Sequence, residues 1–169
     1  MNHNGPASTM RRLLAGLSVA VLASLGTMSA QAADKGFSKQ EIQRGRYLTM
    51  IAGCNDCHTE GYAEAAGKVD EKLWLTGSKL GWRGPWGTTY PANLRLVANG
   101  LTKEQWLKHA RNEWRPPMPW FMLRDMTDSD VTAIYAYLKH VGPAGEPAPA
   151  YVPPDKTPAP PFVTFPSKP

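Results

Sequence analysis

An all-α fold is predicted by three stretches in which apolar residues recur at helical spacing behind a capping residue, with no strand-length alternating block between them. The stretches are Ser38 to Ile51, Lys103 to Arg111 and Asp128 to Leu138. Without an N-terminal leader, 137 residues remain. That length suits one domain with a modest core.

The leader is Met10-Arg11-Arg12 followed by Leu13 through Met28, rich in leucine, valine and alanine, and then Ala30-Gln31-Ala32. Positive charge, a short apolar run and small residues at a cleavage position are the marks of a secretory signal peptide, so residues 1–32 are expected to be removed. Met10 is an alternative start to Met1. Gly16, Ser18, Ser24 and Gly26 interrupt the apolar run, which argues against a retained membrane anchor. Arg11 and Arg12 leave with the leader and no acid does, so the formal net charge falls from +5 to +3. Neither that charge nor any long run of alternating basic and aromatic residues supports nucleic-acid binding.

The first mature helix is expected to start at Ser38 as its cap. Ile42, Leu48 and Ile51, with Tyr47 beside them, form an approximately helical apolar face. Gly45 interrupts good helix propensity, and its small size is expected to let another terminal helix approach closely.

Directly after this helix comes Cys54-Asn55-Asp56-Cys57-His58. Two thiols separated by two residues, with histidine next, form the pattern for covalent attachment of a c-type haem. Cys54 and Cys57 would form thioethers to the vinyl groups, and His58 would be the proximal iron ligand. The competing readings are zinc and dithiol chemistry. With only two cysteines in the chain, zinc would have to recruit distant histidines. A thioredoxin-like site would need a strand before the motif and a βαβ pattern around it, whereas a helix precedes it.

Residues 59–100 are rich in glycine and aromatic residues and are expected to wrap the haem edge, since so long an unsupported loop is unusual in a small domain. Within them Gly81 to Gly87 reads as turns. Two roles fit Trp82 and Trp86: covering the porphyrin or filling the core. Thr102 and Gln105 stand at the capping-box spacing, and Trp106, Leu107 and Ala110 give that helix an apolar face. Arg115-Pro116-Pro117 stops it, placing Met118 in a constrained turn. Thr127 then caps a helix striped by Val131, Ile134, Tyr135 and Leu138. Ten prolines in residues 142–169 mark an extended, weakly ordered tail that lies across the domain. The organisation expected is therefore a leader over 1–32, a domain over 33–141 and a tail over 142–169.

Taken together, the helix entering CNDCH, the segment Gly84 to Leu94 (GPWGTTYPANL), Met118-Pro119-Trp120 and the final helix resemble the small class I cytochromes c. The likeness spans about Gln40 to Val141 and is to the cytochrome domains accompanying bacterial membrane-associated dehydrogenases. The resemblance implies terminal helices crossing beside one covalently attached haem c, with His58 and a distal methionine on the iron. It points to Met118, with Met122 and Met126 as competitors whose ordinary role is apolar packing. It also implies that the Tyr90 to Asn93 region lies near a propionate edge, with Asn93 as hydrogen-bond donor and Trp86 packed nearby. Leu94 to Gly100 is shorter than the acidic, glycine-rich continuation of several such relatives.

Six-coordinate haem implies one-electron transfer rather than an enzyme's turnover. Secretion and covalent haem together point to the periplasm. The expected partners are a redox donor and acceptor: a membrane-associated dehydrogenase or respiratory complex on one side, a terminal oxidase or another redox protein on the other. Peripheral association with a membrane complex is compatible with this. A haem peroxidase or gas sensor is the alternative, with His109, His140 and Arg111 as polar candidates. A bis-histidine cytochrome using His109 or His140 is the closer chemical competitor. Lys79 and Arg83 are candidates for steering an acidic partner toward the haem edge.

Overall fold

Capping decides where the helices begin. In a computed structural model, which describes residues 36–166, Ser38 Oγ accepts from the Glu41 N–H and the Glu41 carboxylate accepts from the Ser38 N–H, closing a capping box on α1 (Lys39–Ile51). The motif folds as α2 (Cys54–His58) behind Gly53 in the left-handed region. Asn93 caps α3 (Leu94–Asn99), Thr102 and Gln105 box α4 (Lys103–Ala110), and Thr127 caps α6 (Asp128–Val141). A short α5 (Trp120–Asp125) follows Pro119. The leader expected over 1–32 lies outside the described residues.

α1 packs against α6, and Gly45 is the point of closest approach. A Cβ there would stand 1.9 Å from the Ala133 carbonyl oxygen and 2.9 Å from Tyr137 Cβ. The apolar face expected on α1 is divided, because only residues sharing the Gly45 side of the helix can reach α6. Leu48 and Thr49 are buried and Ile42 packs against the core, whereas Tyr47 and Ile51 are exposed. From α6, Val131, Ile134, Tyr135, Tyr137 and Leu138 fill the core with Trp74, Leu75, Ala98, Trp106 and Ala110. No helix among the described residues is long and apolar enough to cross a membrane.

The fold is mostly helical rather than all-α. β1 (Gly81–Gly84) and β2 (Gly87–Thr89) form an antiparallel hairpin, with Gly84 opposite Gly87 and Pro85-Trp86 between them. Proline with its fixed φ inside the turn and Gly87 at φ +95° make so tight a reversal possible. The third strand, β3 (Phe162–Thr164), comes from the tail and pairs in parallel with β1, giving the order β2-β1-β3. Instead of trailing as a weakly ordered end, the tail is pinned repeatedly. Thr88 and Val152 exchange backbone hydrogen bonds, the Tyr151 hydroxyl donates to Trp86 O at 2.8 Å, and Arg115 lies over the Tyr151 ring. A proline-rich strand has few N–H groups to offer, so carbonyls of Ala144, Glu146, Val152, Lys156 and Pro161 accept from the domain alongside the few tail donors, the N–H groups of Val152 and Phe165 and the Tyr151 hydroxyl.

Candidate functional site

The CNDCH segment is held at both ends of its last residue. The Gly77 N–H donates to His58 O at 2.8 Å, and His58 Nδ1 lies 2.7 Å from Ala92 O. A carbonyl can only accept, so Nδ1 carries the proton and the Nε2 lone pair is left for a metal. Burial pushes the imidazole below its ordinary pKa and so favours the neutral ring, while the hydrogen bond to the Ala92 carbonyl opposes that shift. Ala92 is itself fixed from Gly77, where a Cβ would come within 2.9 Å of Asn93 N, and from Ser78, whose N–H donates to Pro91 O. Thr59, fully buried, donates to Asn55 Oδ1 and accepts from the Leu75 N–H, tying the motif to the same loop.

Cys54 and Cys57 form no disulfide. Burial pushes the Cys54 thiol up to about 11 and raises Cys57 as well. The set therefore offers two neutral thiols on one short helix and an imidazole with one fixed tautomer. That chemistry fits a haem attached through both sulfurs with its iron on His58 Nε2.

The three methionines have different surroundings. Met122 is exposed on α5 and Met126 packs against the core. Met118 is half-buried in the turn before α5. Thr89 Oγ1 on β2 donates to Pro116 O at 2.9 Å on one side of that turn. On the other side the Arg111 guanidinium donates to the carbonyls of Leu123, Arg124 and Met126 and to Asp128 Oδ1. Arg111 thus ties the end of α5 to the start of α6. His109 stands between the rings of Trp106 and Trp114, and His140 is exposed near the end of α6.

Asn93 differs from its expected role. Its Oδ1 caps α3, and Nδ2 donates to Ala144 O at 2.8 Å and Glu146 O at 3.1 Å. Both amide hydrogens go to the tail, so the side chain anchors residues 144–146 and has no hydrogen left for a propionate. Trp86 lies across Gly84 and against Phe165, with its indole N–H donating to Trp82 O. Tyr90 lies against Gly81. Trp82 Nε1 is buried without a partner.

Sequence reasoning missed Arg95. Its guanidinium is buried and donates to Gly142 O and Lys72 O at 2.6 and 2.7 Å, and also to Val141 O. A positive charge at the carbonyl end of α6 is favourable with the helix dipole. The available signal was a lone cation inside the apolar run Leu94-Arg95-Leu96-Val97.

The family described as Cytochrome c matches residues 42–142, more than half of the chain. The chain belongs to the cytochrome c family. The fructose dehydrogenase cytochrome subunit of Gluconobacter japonicus is 31% identical over an alignment of 123 residues that covers 66% of this chain. The same alignment covers only 24% of that relative's length. No solved structure matched. Membership of this family implies covalently bound haem c, and the Cys54, Cys57 and His58 arrangement is consistent with that attachment.

Proposed function

We propose that this cytochrome carries one electron at a time on a single haem c, with His58 and Met118 as axial ligands. The chemistry supplied by the bound haem is reversible change of iron between ferric and ferrous. Cys54 and Cys57 fasten it, the Ala92 carbonyl orients His58, and Thr89 with Arg111 steadies the chain on both sides of Met118. The observation carrying this reading is the sorting of the methionines: Met122 is exposed, Met126 is half-buried with its side chain packed against the core, and Met118 is half-buried in a braced turn outside that cluster. His109 between two tryptophans and exposed His140 favour methionine over a second histidine. The bonds of Arg111 to α5 and α6 likewise favour electron transfer over a peroxidase or gas sensor.

The signal-like leader supports export to the periplasm, where haem attachment would follow. The dehydrogenase cytochrome subunit among its relatives supports a dehydrogenase as electron donor, with a terminal oxidase or another redox protein as acceptor. The test of ligation is Met118→Ala. The oxidised wild type should show the Met-to-iron charge-transfer band and the variant should lack it, while Met122→Ala keeps it. A band surviving in Met118→Ala removes Met118 from the iron.

A further inference from the structure

The turn that carries Met118 is poor in groups that could fasten it. Pro116, Pro117 and Pro119 have no N–H to donate, so between Arg115 and Pro119 the chain depends mainly on carbonyls and side chains for anchorage. Two adjacent residues supply it. The Pro116 carbonyl accepts from Thr89 Oγ1 at 2.9 Å, which ties the turn directly to β2. The Arg115 guanidinium lies 4.2 Å from the centroid of the Tyr151 ring, which ties it to the C-terminal tail. Among the described residues no carboxylate forms an ion pair with Arg115, so this ring is the partner its charge has.

Tyr151 is itself firmly supported. Its hydroxyl donates to Trp86 O at 2.8 Å, in the hairpin turn. Its ring edge rests on Gly87, where a Cβ would stand 2.7 Å from the hydroxyl oxygen and 2.8 Å from Cε2, so the seat exists only because residue 87 has no side chain. The next residue, Val152, accepts from the Thr88 N–H at 2.7 Å and donates to Thr88 O at 3.0 Å. Both the ring and the backbone of the tail are therefore held by the hairpin at this point.

Arg115 and Pro116 thus reach the same hairpin by two routes, one direct through Thr89 and one through the tail's Tyr151. A single hydrogen bond leaves the chain free to pivot about it. A second contact at the neighbouring residue removes that freedom, and Met118 follows two residues later. A side chain that must hold a fixed position needs supports that are themselves locked by packing and hydrogen bonds, and Tyr151 meets that requirement.

We propose that Tyr151 is a positioning residue for the distal ligand: by holding Arg115, the C-terminal tail limits how readily the Met118 turn swings away from the iron. The tail then acts on the site through the turn, without touching the haem. This rests on the reading of Met118 as axial ligand given above.

The test is imidazole binding to the ferric, full-length holo-cytochrome, because imidazole can take the distal position only while the turn stands open. Arg115→Gln and Tyr151→Leu should each raise imidazole affinity by about two- to fivefold, the worth of an exposed contact between a guanidinium and an aromatic ring. Tyr151→Phe keeps the ring under Arg115 and should raise it less than Tyr151→Leu does. Because both changes break the same contact, the double variant Arg115→Gln/Tyr151→Leu should bind imidazole no more tightly than the tighter of the two single variants. Unchanged affinity in both single variants overturns the proposal. So do effects that simply multiply in the double variant, since each change would then loosen the fold on its own. Failure of the Met118 assignment would appear separately, as a Met-to-iron charge-transfer band that survives in Met118→Ala.

Discussion

Gly45→Ala isolates the contact on which the terminal helices depend. In an exposed helix this change stabilises by about 0.5–1 kcal/mol, because alanine is the better helix former. Here the new methyl carbon would lie 1.9 Å from the Ala133 carbonyl oxygen, 2.5 Å from its carbon and 2.9 Å from Tyr137 Cβ. Two of those atoms are backbone, so no side-chain rotamer relieves the overlap, and α1 and α6 must separate by on the order of 1 Å to reach van der Waals distance. Overpacking of this kind costs about 1–3 kcal/mol, and a clash against helix backbone belongs at the upper end. After the propensity gain is set against it, the net loss is about 2 kcal/mol. For a domain of this size that lowers Tm by about 6–10 °C. Thermal unfolding of the purified holo-protein, followed by far-ultraviolet circular dichroism and by haem absorbance, measures it. An unchanged or raised Tm would refute the reasoning, since alanine without a clash should raise it.

Arg95→Met should lower stability by about 2–4 kcal/mol in chemical denaturation, because it strips the carbonyls of Lys72, Val141 and Gly142 of a buried donor. Arg95→Lys should recover only part of that loss, since an ammonium cannot reproduce the guanidinium's fork. The Arg46 guanidinium bonded to Glu71 holds that carboxyl below its usual range, so this pair's stabilisation is present above the unfolded carboxyl pKa and fades as pH falls through the folded one. Glu71→Gln should therefore flatten the acid limb of the stability curve by less than about 1 kcal/mol, the pair being partly exposed, and an unaltered limb would assign that pair no role. Replacing Lys79 and Arg83 by glutamine should slow oxidation by ferricyanide several-fold at low ionic strength, with the difference vanishing at high salt. Rates equal at both salt levels would remove this surface from electrostatic steering.

What could be read from the sequence was local in origin. Capping boxes at Ser38 and Thr102 operate within four residues, and each helix starts where its cap places it. Gly45 was legible because a glycine inside a helix needs a reason, and close packing against α6 is the reason found. The strands were not legible: β1 and β2 are short, rich in glycine, and stabilised by a third strand some eighty residues away. Similarly, the prolines of the tail suggested loose order because they lack donors. The docking they support depends on donors elsewhere, among them Asn93 Nδ2, the Arg83 guanidinium and the N–H groups of Gly81 and Thr88. Asn93 shows the limit of transferring a residue's role by position. The side chain is at a plausible place, but its hydrogens were already committed by residues 51 and 53 positions further on.

These long-range bonds bear on how an electron carrier keeps its geometry. His58 is fixed through its carbonyl by Gly77 and through its ring by Ala92, and Gly77 and Ala92 belong to segments that also hold each other. One residue beyond Ala92, Asn93 fastens the tail. Two residues further, Arg95 fastens the end of α6, the helix that packs on α1 at Gly45. Moving the imidazole would therefore strain the tail, α6 and the helix leading into the motif together. Under the proposed ligation, iron could change oxidation state while its proximal ligand remains where the protein holds it, and small reorganisation follows from that constraint. The wrapped tail contributes to the same constraint, since it is attached to the hairpin beside Trp82 and to the segment beside Ala92.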